Sequence, residues 1–355
     1  MRGLIAMAVA VVAAGGMLRA GQGANPAPST APVKPFPGET RLANLRQLTF
    51  GGENAEAYFS PDGTRLIFQS TRDGVPCDQI FTMRVDGSDL RRVSTGLGRT
   101  TCGFFYPDGR HIVYASTHLA SEACPPRPDF SRGYVWPVYA GYDIFRAAAD
   151  GSGLTRLTDT PGYDAEATIG PDGRIVFTSV RDGDMEIYSM NGDGTDVRRL
   201  TRRVGPDGGP FFSADGAKIV FRGRELAPGP ALDDYRALLK EGLWRPTELE
   251  IYVMDRDGAN LRQVTNLNGS SFAPFFHPDG RRIIFASNHH DPKGRNFDLY
   301  LVNVDGSGLE RITYNDTFDG FPMFSPDGRR LVFASNRHNT APNETNIFIA
   351  DWVER

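Results

Sequence analysis

Oxygen-bearing side chains recur at fixed distances before a Pro-Asp-Gly turn that the sequence repeats. Seven residues before the turn stand Asn54, Thr100, Asp164, Asp207, Ser271 and Asp319, and five residues before it stand Glu56, Cys102, Glu166, Gly209, Ala273 and Phe321. If the repeats form a ring, these positions lie near its central mouth, where up to five carboxylates converge. Such a set suits a hard cation such as Ca²⁺, which prefers oxygen ligands, or a cationic group of a ligand.

Two interpretations of these carboxylates remain open. In the first, a cation is held by Glu56, Asp164, Glu166, Asp207 and Asp319. In the second, the aspartates cap the tight turn that enters a strand, and the two glutamates face water in a channel. Spacing alone makes no cofactor certain, and Ca²⁺ is the ion that the first interpretation favours.

A second charged pattern looks catalytic but recurs in every repeat. A basic residue follows one strand of each unit, and these residues are Arg72, His118, Arg181, Arg224, His289 and Arg337. The next strand begins with an acid or an amide, and these are Gln79, Asp143, Glu186, Glu250, Asp298 and Asn346. Six copies favour cross-strand pairing, which stabilises a sheet by about 0.2–1 kcal/mol per pair. For an enzyme, His118, His289 and nearby carboxylates are the acid–base candidates.

Other catalytic and nucleotide-binding motifs are missing from the printed sequence. It contains no P-loop, no His-Glu-x-x-His and no Rossmann glycine run, and no spacing marks a Ser/His/Asp set.

Three cysteines leave one unpaired if a disulfide forms. We expect one bridge that involves Cys102, with Cys124 as its first candidate partner and Cys77 as the alternative. Three reduced thiols are the remaining possibility.

Two insertions interrupt the repeats, at residues 118–141 and 224–249. They carry the aromatic residues Phe130, Tyr134, Trp136, Tyr139 and Trp244, and the second predicts a short helix over residues 231–243. Aromatic side chains supply rigid contact area, so one interpretation is a recognition surface for a peptide or a sugar. The other is that the two insertions pack on each other as a lid over the ring.

The repeats themselves predict the fold. The triplet begins at Pro61, Pro107, Pro171, Pro278 and Pro326, with a variant at residues 214–216. The units have a period of about 45 residues once the insertions are set aside. Each unit reads as two β-hairpins, so four short strands per unit predict an all-β, six-bladed β-propeller over residues 41–355. The last unit lacks a fourth strand, and residues 45–49 are predicted to supply it. Leu45 and Leu48 should then fill in the last blade the apolar positions that Leu309 and Ile312 fill in the preceding blade.

The N-terminal region predicts export. Residues 1–20 have the apolar core of a signal peptide, too short for a membrane span, and residues 21–40 are predicted to form a Pro-rich disordered linker that packs on nothing. The net charge of −4 argues against a nucleic-acid partner. We expect a monomeric protein in the periplasm or outside the cell, with no membrane span after cleavage.

The repeated frame, with F-S-P-D-G followed by an alternating strand and then ϕ-Y-x-M-x-x-D-G, resembles the TolB-type β-propeller repeat. The resemblance covers residues 45–355. It implies a propeller that binds an envelope protein, a peptide or a glycan, here without the N-terminal domain that precedes the propeller in TolB. The repeat is also similar to that of oligogalacturonide lyases. The alternative is therefore a lyase or hydrolase that acts on a polysaccharide or peptide at the face bearing the insertions.

Overall fold

The structure, a computed structural model, describes residues 32–72 and 74–355. Six four-stranded antiparallel sheets are arranged so that their innermost strands contact one another in a closed ring. The predicted all-β, six-bladed propeller is confirmed. The predicted signal peptide lies outside the described residues.

The first three blades follow the predicted order of four strands each. Strand β1 (Leu42–Gln47) precedes blade 1, which contains β2 (Asn54–Phe59), β3 (Arg65–Ser70), β4 (Gln79–Arg84) and β5 (Arg91–Arg92). Blade 2 contains β6 (Thr100–Phe105), β7 (His111–Ser116), β9 (Asp143–Ala148) and β10 (Thr155–Arg156). Its insertion carries a 3₁₀ turn (Phe130–Arg132) and β8 (Trp136–Pro137). Blade 3 contains β11 (Asp164–Ile169), β12 (Ile175–Ser179), β13 (Glu186–Met190) and β14 (Arg198–Arg199).

The second half of the ring repeats this order. Blade 4 contains β15 (Asp207–Phe212), β16 (Lys218–Gly223), β18 (Glu250–Asp255) and β19 (Arg262–Gln263), and its insertion carries helix α1 (Pro230–Lys240) and β17 (Leu243–Trp244). Blade 5 contains β20 (Ser271–Phe276), β21 (Arg282–Ser287), β22 (Asp298–Asn303) and β23 (Glu310–Arg311). Blade 6 contains β24 (Asp319–Phe324), β25 (Arg330–Ser335) and β26 (Asn346–Trp352).

Strand β1 closes the ring, as the sequence predicts. It pairs antiparallel with β26, with Leu42 opposite Trp352 and Gln47 opposite Phe348. The side chains of Leu45 and Leu48 are buried, and so is Ile312, the counterpart of Leu48 in blade 5. The counterpart of Leu45 differs, because Leu309 is 40% exposed. Since β1 has six residues and β23 only two, the N-terminal strand covers more of its blade than the equivalent strand does.

Each innermost strand contains the same irregularity. Its pairing register shifts by one residue in the middle of the strand, which is a β-bulge. The bulge residue has a positive φ between 49° and 60° in every blade, and these residues are Glu56, Cys102, Glu166, Gly209, Ala273 and Phe321. A left-handed backbone is unusual for non-glycine residues. In every blade the bulge therefore re-aims the residue that lies five positions before the turn, which is a glycine only in blade 4.

Residues 33–39 pack on the propeller, so the prediction that the linker packs on nothing is wrong for this part of it. Val33 donates its backbone N–H to the carbonyl of Leu45 at 2.5 Å. The carboxylate of Glu39 is buried against Arg337, and the guanidinium of Arg337 lies 5.0 Å from the ring centre of Phe36. A buried arginine needs an acidic partner, and this segment supplies one.

Candidate functional site

A cavity of about 330 Å³ lies in the centre of the ring, at the end where the innermost strands begin. All six bulge residues line it. The sequence-based expectation that this set converges on the axis is therefore confirmed. The other lining side chains include Tyr58, Tyr142 and Tyr163, and Trp136 and Tyr139 from the insertion of blade 2.

The residues seven positions before each turn do not reach this cavity. Asp164 is held by Arg181 at 2.9 Å and Asp319 by Arg337 at 2.7 Å, each inside its own blade. Asp207 is paired in the same way with Arg203. The predicted metal set of five carboxylates is therefore divided, because only Glu56 and Glu166 line the cavity. Within residues 32–72 and 74–355, no group of three or more His, Cys, Asp or Glu side chains is placed to hold a metal ion.

The predicted cross-strand partners are wrong for Arg181 and Arg337, which pair with Asp164 and Asp319 instead. Arg181 does not pair with Glu186 but reaches across its own strand to Asp164, with its guanidinium 5.0 Å from the ring centre of Tyr188. Glu186 instead accepts from Arg199 on the outermost strand at 2.6 Å. The aromatic ring beneath the guanidinium directs it toward the innermost strand, and this arrangement stabilises the blade rather than forming a catalytic group.

Glu56 is the most perturbed acid of the cavity. Burial raises the pKa of Glu56 to about 7, and the negative charge of Glu166 adds to this effect. The thiol of Cys102 donates a hydrogen bond to Glu56 and partly offsets the rise in pKa. Burial also raises the pKa of the Cys102 thiol, and the negative charges of Glu56 and Glu166 raise it further. At neutral pH the cavity thus contains a carboxyl group close to its titration midpoint and a protonated thiol.

Glu166 differs from Glu56 because its carboxylate is paired with the guanidinium of Arg222. The guanidinium of Arg222 donates to Glu166 at 2.7 Å, as do the hydroxyl of Thr178 at 2.6 Å and the backbone N–H of Gly209 at 2.9 Å. Burial alone raises the pKa of Glu166, but the charge of Arg222 and these hydrogen bonds outweigh it and lower the pKa. The pair joins blade 3 to blade 4 across the wall of the channel.

Arg222 is a residue of the site that the sequence analysis missed, although the sequence carries a signal for it. Arg222 is the penultimate residue of the second strand of its blade. In the other five blades this position holds a small or an uncharged polar residue: Gln69, Ala115, Thr178, Ala286 and Ala334. A single arginine at a repeated position breaks the symmetry of the ring. Its counterparts Gln69 and Thr178 also contact the bulge residues, since Gln69 accepts from the backbone N–H of Cys102.

The two insertions form a lid over this end of the channel. Strands β8 and β17 pair antiparallel, with Trp136 opposite Trp244 and their ring centres 5.5 Å apart. The predicted helix is present as α1, and its Leu232 and Tyr235 are buried in one cluster with Trp244 and Val138 of the two insertions. Of the two interpretations left open above, packing of the insertions on each other is confirmed.

The five aromatic residues proposed as a binding surface differ in exposure. Phe130 and Tyr134 are 53% and 46% exposed, and their rings stack 6.3 Å apart. Trp136 and Tyr139 are partly buried and line the central cavity. Trp244 is only 2% exposed, so its assignment to an open surface is corrected. Its ring packs edge to face against the ring of Trp136 instead.

A groove of about 1600 Å³ lies beside the lid on the same face. Its walls include Tyr134, Trp136 and Phe297, and Lys293 and Arg295 lie along it. The guanidinium of Arg295 lies 3.8 Å from the ring centre of Tyr134. The groove and the central cavity share the side chains of Trp136, Phe272 and Phe321, so they are adjacent.

The two histidines proposed as acid–base candidates line neither the cavity nor the groove. The ring of His118 packs 4.5 Å from that of Phe145, and burial lowers the pKa of His118. The Nδ1 atom of His289 is buried without a hydrogen-bond partner among the described residues. Both occupy the position taken by the blade arginines, which accounts for their place in the repeat.

The disulfide joins Cys77 to Cys124, whose Cα atoms are 6.0 Å apart. The prediction that Cys102 forms the bridge is therefore wrong, for both of its candidate partners. The β-bulge at Cys102 turns its side chain into the central cavity, whereas Cys77 and Cys124 are joined to each other. Cys102 remains a free thiol.

The fold and this site define a class of protein, a six-bladed β-propeller with a lidded central cavity. The family model of the TolB beta propeller domain matches residues 243–344. An uncharacterized Agrobacterium fabrum protein is 32% identical over 149 residues, which are 41% of this chain and 47% of the relative. A TolB homolog of Chlorobium chlorochromatii is 32% identical over 137 residues, which are 32% of this chain and 31% of the relative. The chain is therefore similar to TolB-type β-propellers, and it spans less than half the length of these relatives.

Solved structures with different activities share the fold. TolB from Acinetobacter baumannii matches with a TM-score of 0.55 and 18% identity, over 85% of this chain and 64% of that one. A gluconolactonase from Xanthomonas campestris matches with a TM-score of 0.57 and 14% identity, over 91% and 94%. An oligogalacturonate lyase in complex with manganese matches with a TM-score of 0.52 and 16% identity, over 87% and 93%. At these identities the likeness concerns the fold alone.

Proposed function

We propose that this propeller is a binding module of the cell envelope, whose ligand is a peptide or a glycan that lies in the groove beside the lid. The observation that carries the proposal is the groove itself, an open volume of about 1600 Å³ with aromatic walls next to the central cavity. Exposed tyrosine and tryptophan rings favour both peptide and sugar contacts, because they offer apolar area with a polar edge. Tyr134 accepts a hydrogen bond from Trp136 at 2.7 Å, which fixes its ring at the groove wall.

Arrays of envelope peptides and glycans test this proposal with the full chain. Tyr134→Ala is expected to weaken binding of the selected ligand by at least about tenfold, which is the loss of about 1.4 kcal/mol. Leu154→Ala is the matched control, because Leu154 is exposed beside the Asp150 turn at the opposite end of its blade. Equal affinities of the two variants would place the ligand elsewhere and contradict the proposal.

The proposed location is the periplasm or the cell exterior, reached through the leader predicted at residues 1–20. No helix within the described part of the chain is long and apolar enough to cross a membrane. Cell fractionation and N-terminal sequencing of the mature protein test the location, and light scattering tests the monomeric state. Recovery of the chain in the cytoplasm with its leader intact would contradict the proposed location.

One observation favours a second function, an enzyme that acts on a polysaccharide, a lactone or a peptide. A carboxyl group with a pKa of about 7 is suited to proton transfer at neutral pH, and Glu56 has that property inside the cavity. Turnover of such substrates that Glu56→Gln abolishes, with binding retained, would establish this alternative. Absence of turnover on the ligand that the groove selects favours the binding module.

A further inference from the structure

The cavity contains three carboxylates and two guanidiniums among its lining side chains. Glu166 and Arg222 form a closed pair at 2.7 Å, and Asp78 lies 3.5 Å from Arg99. Among the side chains that the structure describes, none forms an ion pair with Glu56, although the charge of Arg222 lowers its pKa in part. With all three carboxylates ionised, the lining side chains carry one more negative charge than positive charges.

The backbone directs this charge toward the cavity. Glu56 occupies the bulge of β2 with a φ of 54°, and its side chain is partly exposed although it lies deep in the ring. Its described hydrogen-bond partner is the thiol of Cys102, which is a weak donor. A carboxylate with so little stabilisation in a low-dielectric site attracts a positive charge strongly.

The walls around Glu56 are aromatic. Tyr58, Tyr142 and Tyr163 line the cavity, and the ring centres of Tyr142 and Tyr163 are 5.6 Å apart in an edge-to-face arrangement. The electron-rich face of an aromatic ring attracts cations within about 6 Å, most strongly where water is excluded. The two guanidiniums of the cavity are paired with Glu166 and Asp78, although the Nε atom of each is buried without a hydrogen-bond partner among the described residues.

We propose that the central cavity binds a small organic cation, such as an alkylammonium group, with the carboxylate of Glu56 as its counter-ion and three tyrosine rings as its walls. The volume of about 330 Å³ fits a small molecule, since water occupies about 30 Å³ per molecule and the cavity holds on the order of ten waters. This site is distinct from the groove in chemistry, because its ligand is recognised by charge. It does not depend on which polymer the groove binds.

Isothermal titration calorimetry of the full chain with butylammonium chloride tests this proposal. Its neutral and anionic isosteres, 1-butanol and butyrate, serve as the matched ligands. We expect butylammonium to bind at least about tenfold more tightly than either. Equal binding of butylammonium and 1-butanol, or absence of butylammonium binding, would overturn the proposal.

Two variants assign the effect to Glu56. Glu56→Gln keeps the size of the side chain and removes its charge, so the preference for butylammonium over 1-butanol should disappear. Glu122→Gln removes an exposed carboxylate from the lid and should leave the preference unchanged. If Glu56→Gln retains the preference while folded, Glu56 is not the counter-ion and the proposal fails. Loss of groove binding in Tyr134→Ala, with ammonium binding retained, distinguishes this site from the proposed function.

The wild-type protein provides a second readout, should Glu56→Gln fail to fold. The charged or titratable groups that face Glu56 include Glu166, Arg222, Asp78, Cys102 and Tyr58. Because the pKa of Glu56 is raised to about 7, the affinity for butylammonium should rise as the pH increases toward 7 and then level off. A primary alkylammonium stays protonated throughout this range, as lysine does. An affinity for butylammonium that does not change as the pH increases toward 7 would overturn the proposal.

Discussion

Glu39 and Arg337 form a bidentate ion pair, at 2.9 and 3.0 Å, across 298 residues of chain. Both side chains are at most 1% exposed, and Arg337 donates in addition to Asp319 at 2.7 Å. The segment before β1 is thus joined to the last blade by charge as well as by strand pairing. Residues 33–39 form part of the ring closure.

Glu39→Ala should therefore destabilise the propeller. Arg337 keeps Asp319 but loses two charge-assisted hydrogen bonds, so we expect a loss of about 1.5–3 kcal/mol in the free energy of unfolding. Urea denaturation measures it. The control is Glu225→Ala, because Glu225 is an exposed carboxylate in the second insertion. An unchanged denaturation midpoint for Glu39→Ala would show that the segment contributes nothing to closure.

Leu45 and Leu309 provide a matched pair for the strand that closes the ring. They occupy equivalent repeat positions, but Leu45 is fully buried and Leu309 is 40% exposed. Leu45→Ala should cost about 2–5 kcal/mol, as core leucine truncations do. Leu309→Ala should change the stability by no more than about 0.5 kcal/mol. Equal effects in thermal or chemical unfolding would contradict the pairing of β1 with β26.

The disulfide predicts a specific distribution of thiols. Peptide mapping of the oxidised protein without reduction should recover a peptide that joins Cys77 to Cys124, and one free thiol at Cys102. Cys77→Ser should lower the stability by about 2–4 kcal/mol, because the bridge closes a loop of 47 residues. Cys102→Ser is the control that leaves the bridge intact. Recovery of a peptide that joins Cys102 to another cysteine would contradict this assignment.

Glu56 predicts a pH dependence of stability with a definite sign. Its pKa in the folded protein is about 7, above the ordinary value of 4.5, so the folded state holds a proton that the unfolded chain releases. Between these two pH values the contribution of Glu56 to stability falls as the pH rises. Above pH 7 Glu56→Gln should therefore be more stable than the wild type, and below 4.5 the two should converge. If the difference in stability between Glu56→Gln and the wild type is the same above pH 7 and below pH 4.5, the raised pKa is contradicted.

The sequence predicted the blades because a β-propeller repeats in one dimension. The spacing of each turn triplet fixes two strands, and a second Asp-Gly turn fixes the next two in the first five units, so these five blades could be placed without long-range information. The same spacing placed Glu56, Cys102 and Glu166 at the axis, since a fixed distance from the turn is a fixed height along the innermost strand.

The partners of these residues could not be predicted in the same way. Glu166 pairs with Arg222 in the next blade, 56 residues away, and this contact depends on the angle between blades and on the bulge. The disulfide depends on the path of the first insertion, which repeat spacing does not specify. Glu39 and Phe36 lie in a Pro-rich segment whose composition indicates disorder, although two of its side chains fit the buried arginine of blade 6.

Hydrogen exchange of the full chain, with and without the ligand selected from the peptide and glycan arrays, tests whether this propeller binds its ligand beside the lid. Bound ligand should slow amide exchange at Tyr134 and Trp136 and in residues 247–249 and 267–270, which line the groove. Slowed exchange confined to the turns at the opposite end of the blades, around Asp86 and Asp150, would contradict binding beside the lid.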